Sequence, residues 1–498
     1  MLIFLTSVVL VASFVVIYFL KSRYEYWERR NIPYLQPRLF FGNMADVVFL
    51  RKPFYQICLE GCKKFSDFPL YGLFSFWTPT VVLQDIELIR STLIKNFNYF
   101  EDHFLTVEHD TDPILYFNPM CLTGEAWRNA RLNVTPQFTP GKLKYIIPVM
   151  QNVGKDLVKY ISDKQTCLEA KNLASRYTGE IVFMAGFGLE GKSFVNDTPI
   201  PMEIGFGISA NEKMMHIKHM IGTFFPSLRR LLKVSFLGNQ VPPSFRDIVL
   251  NTIEYRKVNK ISRPDYLNFV ISLMSNKDMT EDEIVGYAYT LYLDGYETSS
   301  ILLTCLLYSV AQSATVQEKC RREIRDVMKN YQGQLTHEAI VELKYVDAVI
   351  FETLRMHSPL ALLLRLCTKN FQAPCIDKHH KQTDVTIDKG TILVIPTKAI
   401  HYNPTFHENP ETFYPERFLN DPLLQKSYVL GFGEGPRICL GRNFAVLQLK
   451  VCMVALLSEY SLKLNEKTIV PYEKLMHNIL NVPKSPILID FVKAPLHE

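Results

Sequence analysis

The stretch Phe432-Gly-Glu-Gly435-Pro436-Arg437-Ile-Cys439-Leu-Gly441 sets one cysteine among glycines, a proline and an arginine. Gly435 and Gly441 predict a tight loop whose backbone comes close to something flat or bulky. A helix opening near Leu440 aims its positive end at the sulfur, and loop amides can donate to it, so thiolate is favoured over thiol. A single thiolate is what a haem iron needs as its axial protein ligand. Zinc would need three or four ligands at paired spacing; the chain has no C-x-x-C, and the nearest cysteine to Cys439 is Cys452. An isolated cysteine is by default a buried structural thiol. The residues around this one reverse that default.

Other residues are spaced for chemistry on helices. Trp127 and Arg131 are four apart, which puts an indole N–H and a guanidinium on one face, a pair suited to a carboxylate. Glu352 and Arg355 are three apart; alone they would be a solvated ion pair worth little. Asp294-Gly295-Tyr296-Glu297-Thr298-Ser299 falls within a long helical pattern. Glycine there costs about 1 kcal/mol relative to alanine, so something other than helix formation places it. A helical threonine such as Thr298 can also simply bond back to its own carbonyls.

Gly186-Phe-Gly-Leu-Glu-Gly191-Lys192-Ser193 satisfies the phosphate-loop pattern, with Lys192 and Ser193 in the phosphate and magnesium positions. Such a loop must open a helix whose amides bind phosphate. Here Phe-Val-Asn-Asp-Thr-Pro199-Ile-Pro201 follows, which cannot supply helical turns. The expectation is a glycine-terminated helix running into a loop.

The elements that must carry these residues are mostly helices. Thr280 and Glu283 form a capping box for a helix from Glu281 to Gln312, with further helices at Thr315–Asn330, His337–Met356 and Leu440–Leu464. Thr391–Pro396 reads as a strand, and Gln240–Asp247, with Pro242 and Pro243, as a connection. Met1 to Leu20 carry no charge, and Lys21, Arg23, Arg29 and Arg30 follow, as in a membrane anchor with its basic flank in the cytosol. Asn31–Asn43, containing Pro33 and Pro37, reads as a stiff connector. The 498 residues are 48% hydrophobic and 21% charged, which excludes a disordered or collagen-like chain. A net charge of +5 over this length gives no case for nucleic-acid binding. Ten cysteines are too few for a disulfide scaffold, and a reducing compartment is expected.

Taken together, these motifs resemble the cytochrome P450 superfamily of haem-thiolate monooxygenases. The cysteine loop matches its F-x-x-G-x-R-x-C-x-G at every specified position, from Phe432 to Gly441. Trp127–Arg131, Glu352–Arg355, Pro415-Glu-Arg417-Phe418 and Gly295–Thr298 match further family elements in the family's order. The resemblance implies haem b with Cys439 as its iron ligand. It also implies propionate contacts from Arg437, Trp127, Arg131 and Arg365, and a buried structural triad of Glu352, Arg355 and Arg417. Gly295 would mark a local helix opening that admits dioxygen and water, and Glu297 with Thr298 would deliver protons for O–O cleavage. Asp294 departs from the family, which usually has Ala or Gly there, close to iron and substrate. A carboxylate in such a pocket must be paired, hydrated or protonated. It would select substrates with a basic or hydroxyl group, or join the proton relay. His103 stands near where many microsomal members carry arginine, so one propionate contact is expected to differ. The proline segment lacks the common Pro-Pro-Gly-Pro form, although Gly42-Asn43 fits.

The expected fold is mainly α with minor β, a large helical domain with a small β-rich region behind one transmembrane helix. Residues 1–20 are the anchor, 21–43 a basic, proline-containing linker and 44–498 the catalytic domain. The expected function is hydroxylation or epoxidation of lipophilic small molecules, xenobiotics of the insecticide or plant-toxin kind or endogenous hormones. Electrons would come from NADPH through cytochrome P450 reductase, with cytochrome b5 as a second donor, at the cytosolic face of the endoplasmic reticulum. The motifs are most like those of the xenobiotic-metabolising microsomal group that includes many insect enzymes. Alternatives are a specialised hormone- or lipid-modifying oxygenase of the same fold, a non-catalytic haem protein, and a phosphate-loop nucleotide binder. Phe224–Leu237 mixes aromatic, aliphatic and basic residues, as an interfacial patch or a core helix would. Asn133-Val-Thr135 and Asn196-Asp-Thr198 are glycosylation sequons that a cytosolic body would leave bare.

Overall fold

Uncharged, mostly apolar residues wind the N-terminus into α1 (Leu2–Tyr24), with Lys21 and Arg23 in its last turn, where positive charge complements the helix dipole. The structure, a computed structural model, describes residues 1–164, 167–206, 212–235, 243–421, 428–475 and 480–496. Most apolar side chains of α1 from Ile3 to Phe19 stand exposed. Among the described residues this is the one unbent helix long and apolar enough to cross a membrane. The chain beyond it docks at once. Trp27 is fully buried, its indole N–H donates to the Leu73 carbonyl at 3.0 Å, and a Cβ on Gly72 would lie 2.4 Å from its ring. Asn43 accepts from the Phe74 amide at 2.7 Å, so residues 27–43 lie along a sheet edge rather than hanging free.

The strands are β1 (Leu70–Ser75), β2 (Thr78–Leu83), β3 (Cys167–Glu169), β4 (Leu363–Leu366), β5 (Phe371–Ile376), β6 (Gln382–Ile387), β7 (Ile392–Ile395), β8 (Tyr460–Leu464) and β9 (Leu488–Lys493). They form sheets ordered β1-β2-β7-β4 and β3-β9-β8, and the hairpin β5-β6. Among these strands the β2–β7 pairing is parallel and the others antiparallel. β7 falls within the strand expected at Thr391–Pro396, and its four residues are all buried.

Helices make up most of the rest: α2 (Gly124–Val134), α3 (Ile147–Lys164), α4 (Ala170–Ile181), α5 (Pro243–Val258), α6 (Glu281–Gln312), α7 (Ala314–Asn330), α8 (Lys344–Met356) and α9 (Arg442–Glu459). The long helix α6 has the predicted bounds, and the Thr280 hydroxyl caps it by accepting from the Glu283 amide at 3.2 Å. Its C-terminal half supplies Leu302, Leu303, Leu306 and Leu307 to a core shared with α3, α4, α7, α8 and α9. Burying each such side chain is worth about 1.5–3 kcal/mol. Polar ties fix the register: Thr178 on α4 donates to the Tyr296 carbonyl at 3.3 Å, and Gln448 on α9 donates to Ser299 at 2.7 Å.

Four local expectations are corrected. The helix expected from Leu440 to Leu464 begins at Arg442 and stops at Glu459, because Tyr460 and Leu462 alternate inward as strand residues paired to β9. His337–Met356 is two helices broken at Leu343, the first capped by Thr336. Within the connection expected at Gln240–Asp247, α5 already starts at Pro243, whose fixed φ suits a first helical turn; residues 240–242 lie outside the described ones. The local opening expected at Gly295 is not there, since α6 runs helical throughout. A Cβ on Gly295 would meet only Val182 at an ordinary 3.4 Å, so packing does not demand the glycine.

Candidate active site

The cysteine loop is closed by the Cys439 amide, which donates to the Phe432 carbonyl at 2.8 Å, and by Ile438 donating to Gly435 at 3.0 Å. Gly435, at φ +76°, has no room for a side chain: a Cβ would lie 2.0 Å from the Leu93 carbonyl oxygen. The close approach expected of this loop is therefore to the chain's own backbone, and Gly441 has open space where a Cβ would go. Cys439 lies deep among protein atoms yet keeps an accessible surface, so its sulfur faces an interior cavity. Burial pushes its thiol up, while the Gly441 backbone N–H, Arg131 and Arg442 pull it back towards thiolate. Phe432 packs edge-on against Phe351 at the loop's start.

Three arginines gather beside this loop. Arg131 on α2 donates to the Ile438 carbonyl, next to the cysteine, at 2.7 Å. The Arg437 guanidinium lies 4.1 Å over the Trp127 ring and donates to the carbonyls of Glu101, Pro119 and Leu122. Arg365 on β4 donates to the His103 ring at 3.0 Å, and its Nε is buried with no partner. Burial and neighbouring arginines lower Arg437 to about 9, and burial lowers Arg365 to about 10. His103 is held neutral by burial and by Arg365 and Arg437. Against these cations stand Asp102, 3.6 Å from Arg437, and Glu101, which is spent on Arg128. The cluster is short of negative charge. It fits a group bringing two carboxylates, as haem does.

On the far side, Thr298 Oγ1 bonds back to the Asp294 carbonyl at 2.6 Å, the alternative that helical threonines always have. Glu297 turns to Lys171 on α4: the ammonium donates to Glu297 at 3.0 Å and to Ser175 and Ser300 at 2.9 Å each. Asp294 is surrounded by protein yet keeps accessible surface, so it too faces an interior cavity, and its charge acts on Cys439. Asn118 donates to both its oxygens at 3.3 Å. Lys171 and Asn118 carry no signal in the sequence; each meets its partner across more than a hundred residues.

The triad is assembled as the resemblance implies. Arg355 donates to Glu352 at 2.7 and 2.9 Å, Arg417 at 3.2 Å, and the Tyr414 amide at 2.9 Å. Arg355 also donates to the His401 carbonyl, and His401 Nε2 accepts from the amide of Leu430, just before the cysteine loop.

The phosphate-loop pattern has no cradle. Its helix ends at Phe187, with Gly188 left-handed at φ 64°, and the Glu180 carboxylate accepts from the Gly191 and Ser193 amides at 2.9 and 2.8 Å. A carboxylate of the chain itself thus sits where phosphate would, and Lys192 points to solvent.

A deep but accessible cysteine flanked by arginines short of counter-charge fits the chemistry of a haem-thiolate protein. The family profile described as Cytochrome P450 matches residues 32–490, and the chain belongs to that family. It is similar to the probable cytochrome P450 6a23 of Drosophila melanogaster, at 32% identity over 96% of each chain. It is also similar to cytochrome P450 6A1 of Musca domestica (30%, 95% of each chain) and cytochrome P450 9e2 of Blattella germanica (29%, 90% of each chain). It is therefore a P450 monooxygenase, of a family that binds haem through a cysteine thiolate.

Proposed function

We propose that Cys439 is the axial thiolate, that Arg437, Arg131 and Arg365 with Trp127 hold the haem propionates, and that the enzyme hydroxylates or epoxidises lipophilic small molecules, xenobiotics foremost. The observation that carries this is the meeting, around one loop, of a cavity-facing thiol and three arginines with Asp102 as their nearest counter-charge. When bound, the haem supplies dioxygen activation, driven by electron density from the thiolate. The chain's own part is to hold the sulfur as thiolate with the Gly441 amide, to pin the propionates, and to exclude water beneath α6. Phe432, packed against Phe351, bounds the space for the ring. Glu297, held by Lys171, and Thr298, whose Oγ1 donates to the Asp294 backbone carbonyl, are the groups that hold and move protons on the α6 side.

Electrons come from NADPH through cytochrome P450 reductase, with cytochrome b5 as a second donor. The catalytic body, residues 44–498, faces the cytosol, anchored through residues 1–20 to the endoplasmic reticulum. Exposed Leu39, Phe40, Phe49, Trp77, Leu231 and Leu232 support contact with lipid beyond the anchor. In the segment 224–237, Phe224 and Phe225 turn inward onto Phe76 while Leu231 and Leu232 face out; Phe236 and Leu237 lie outside the described residues.

The test is the carbon-monoxide difference spectrum of the reduced, purified protein beside C439A. The parent is expected to show a long-wavelength Soret band, and C439A, folded by circular dichroism, to lack it. A well-folded parent without haem, or a band that survives in C439A, overturns the assignment.

A further inference from the structure

Five carboxylates lie on α6, and four of them have cations. Glu281 and Asp282 pair with Arg246, Glu283 with Lys277, and Glu297 with Lys171. Asp294 pairs with no cation among the described residues; its hydrogen-bond partner is the neutral Asn118 amide, at 3.3 Å to each oxygen. That amide is itself fixed. Asn118 is buried, and its Oδ1 accepts from the Met120 backbone N–H at 2.7 Å, which turns the NH2 end to Asp294. The carboxylate is thus held in one orientation while part of its surface stays open to the cavity.

No cation among the described residues bears on Asp294 itself, although Arg229 and Arg437 act on its neighbour Cys121, and Arg131 and Arg442 on Cys439. Cys121, Tyr266 and Tyr289 are each pushed further towards their protonated forms by Asp294, and Cys439 feels the same charge. A buried carboxylate without a cation is costly. Burial moves Asp294 up to about 6, still low enough for it to ionise at neutral pH. What the carboxylate itself lacks, among the described residues, is a positive charge carrying an N–H donor.

We propose that Asp294, oriented by Asn118, is an amine-recognition subsite of the substrate cavity, and that the enzyme takes lipophilic substrates bearing a protonated amine. The ammonium N–H donates to Asp294, and the apolar remainder of the substrate fills the cavity. This rests on the proposed function above, since it places the subsite in the cavity that the haem would share.

The experiment compares N,N-dimethyl-phenylbutylamine with the hydrocarbon in which CH replaces its nitrogen. Dissociation constants are measured calorimetrically and by Soret titration at neutral pH, on the parent, D294N and D294E. The parent is expected to prefer the amine. D294N should weaken amine binding about 10- to 100-fold, the value of a charge-assisted hydrogen bond, with the hydrocarbon unchanged within about twofold. D294E should restore most of the preference. Equal affinity of the parent for both probes overturns the proposal. So does equal loss of both in D294N, or an amine constant that D294N leaves unmoved with nitrogen bound to iron. The reduced carbon-monoxide spectrum of the parent separates the two readings. Band present with amine preference absent overturns the subsite alone, and amine preference lost in D294N without the band leaves the subsite and overturns the haem assignment.

Discussion

Replacing Glu352 by alanine tests the buried triad and its reach to the cysteine loop. The Glu352 and Arg355 side chains are 0% exposed, and the carboxylate accepts from two guanidiniums and from the Tyr414 amide. Without it, Arg355 keeps only carbonyl partners, chiefly His401 at 2.7 Å, and Arg417 keeps the Glu408 carbonyl at 2.9 Å. Two buried cations then face each other uncompensated, a loss of about 3–5 kcal/mol. Unfolding entropy near 2.1 cal/mol/K per residue, over a body of about 450 residues, gives about 1 kcal/mol per degree. E352A should therefore lower Tm by about 3–5 °C, read by scanning calorimetry at matched scan rate because a body this size unfolds irreversibly. The triple variant E352L/R355M/R417M removes charge and counter-charge together and should regain at least half of that loss, since apolar groups of similar volume often replace buried ion pairs without cost. Because Arg355 reaches Leu430 through His401, E352A should also release haem faster on heating. An E352A within about 1 °C of the parent would refute the reasoning. A triple variant as unstable as the single one would show that packing, not stranded charge, sets the cost.

Two further outcomes are expected. Asp294 is raised from its ordinary value to about 6 by burial, so the folded state binds its proton more tightly than the unfolded chain. The stability this gives is complete below pH about 4 and is lost as pH rises through about 6. D294N lacks that loss, so its Tm advantage over the parent should grow between pH 4 and 6.5, and parallel curves would exclude it. Asn196 stands on an exposed turn and is the accessible sequon, whereas Asn133 sits within helix α2. In cells the chain should show no endoglycosidase-sensitive shift, and a shift abolished by N196Q would put the body in the lumen.

What could be read from the sequence and what could not divide along a physical line. The bounds of α6, the cysteine loop and the i, i+3 and i, i+4 pairs were legible because caps, glycines and helical spacing act within a few residues. Legible, too, was the failure of the phosphate-loop pattern, since two prolines after Ser193 forbid the helix it needs. Misread were places where tertiary packing overrides local pattern. Tyr460–Leu464 looks like a continuation of α9 until β9 supplies a strand to pair with. The same limit governs the chemistry. Glu297 was identified by its motif, but that it turns to Lys171 depends on α4 packing across α6. Asp294 stood out as a charge where the family carries none, yet its meaning comes from Asn118, 176 positions away, and from the cations its neighbours on α6 possess and it lacks. Motif residues report the chemistry shared by the family; the departures, once their partners are known, report what this enzyme is built to recognise.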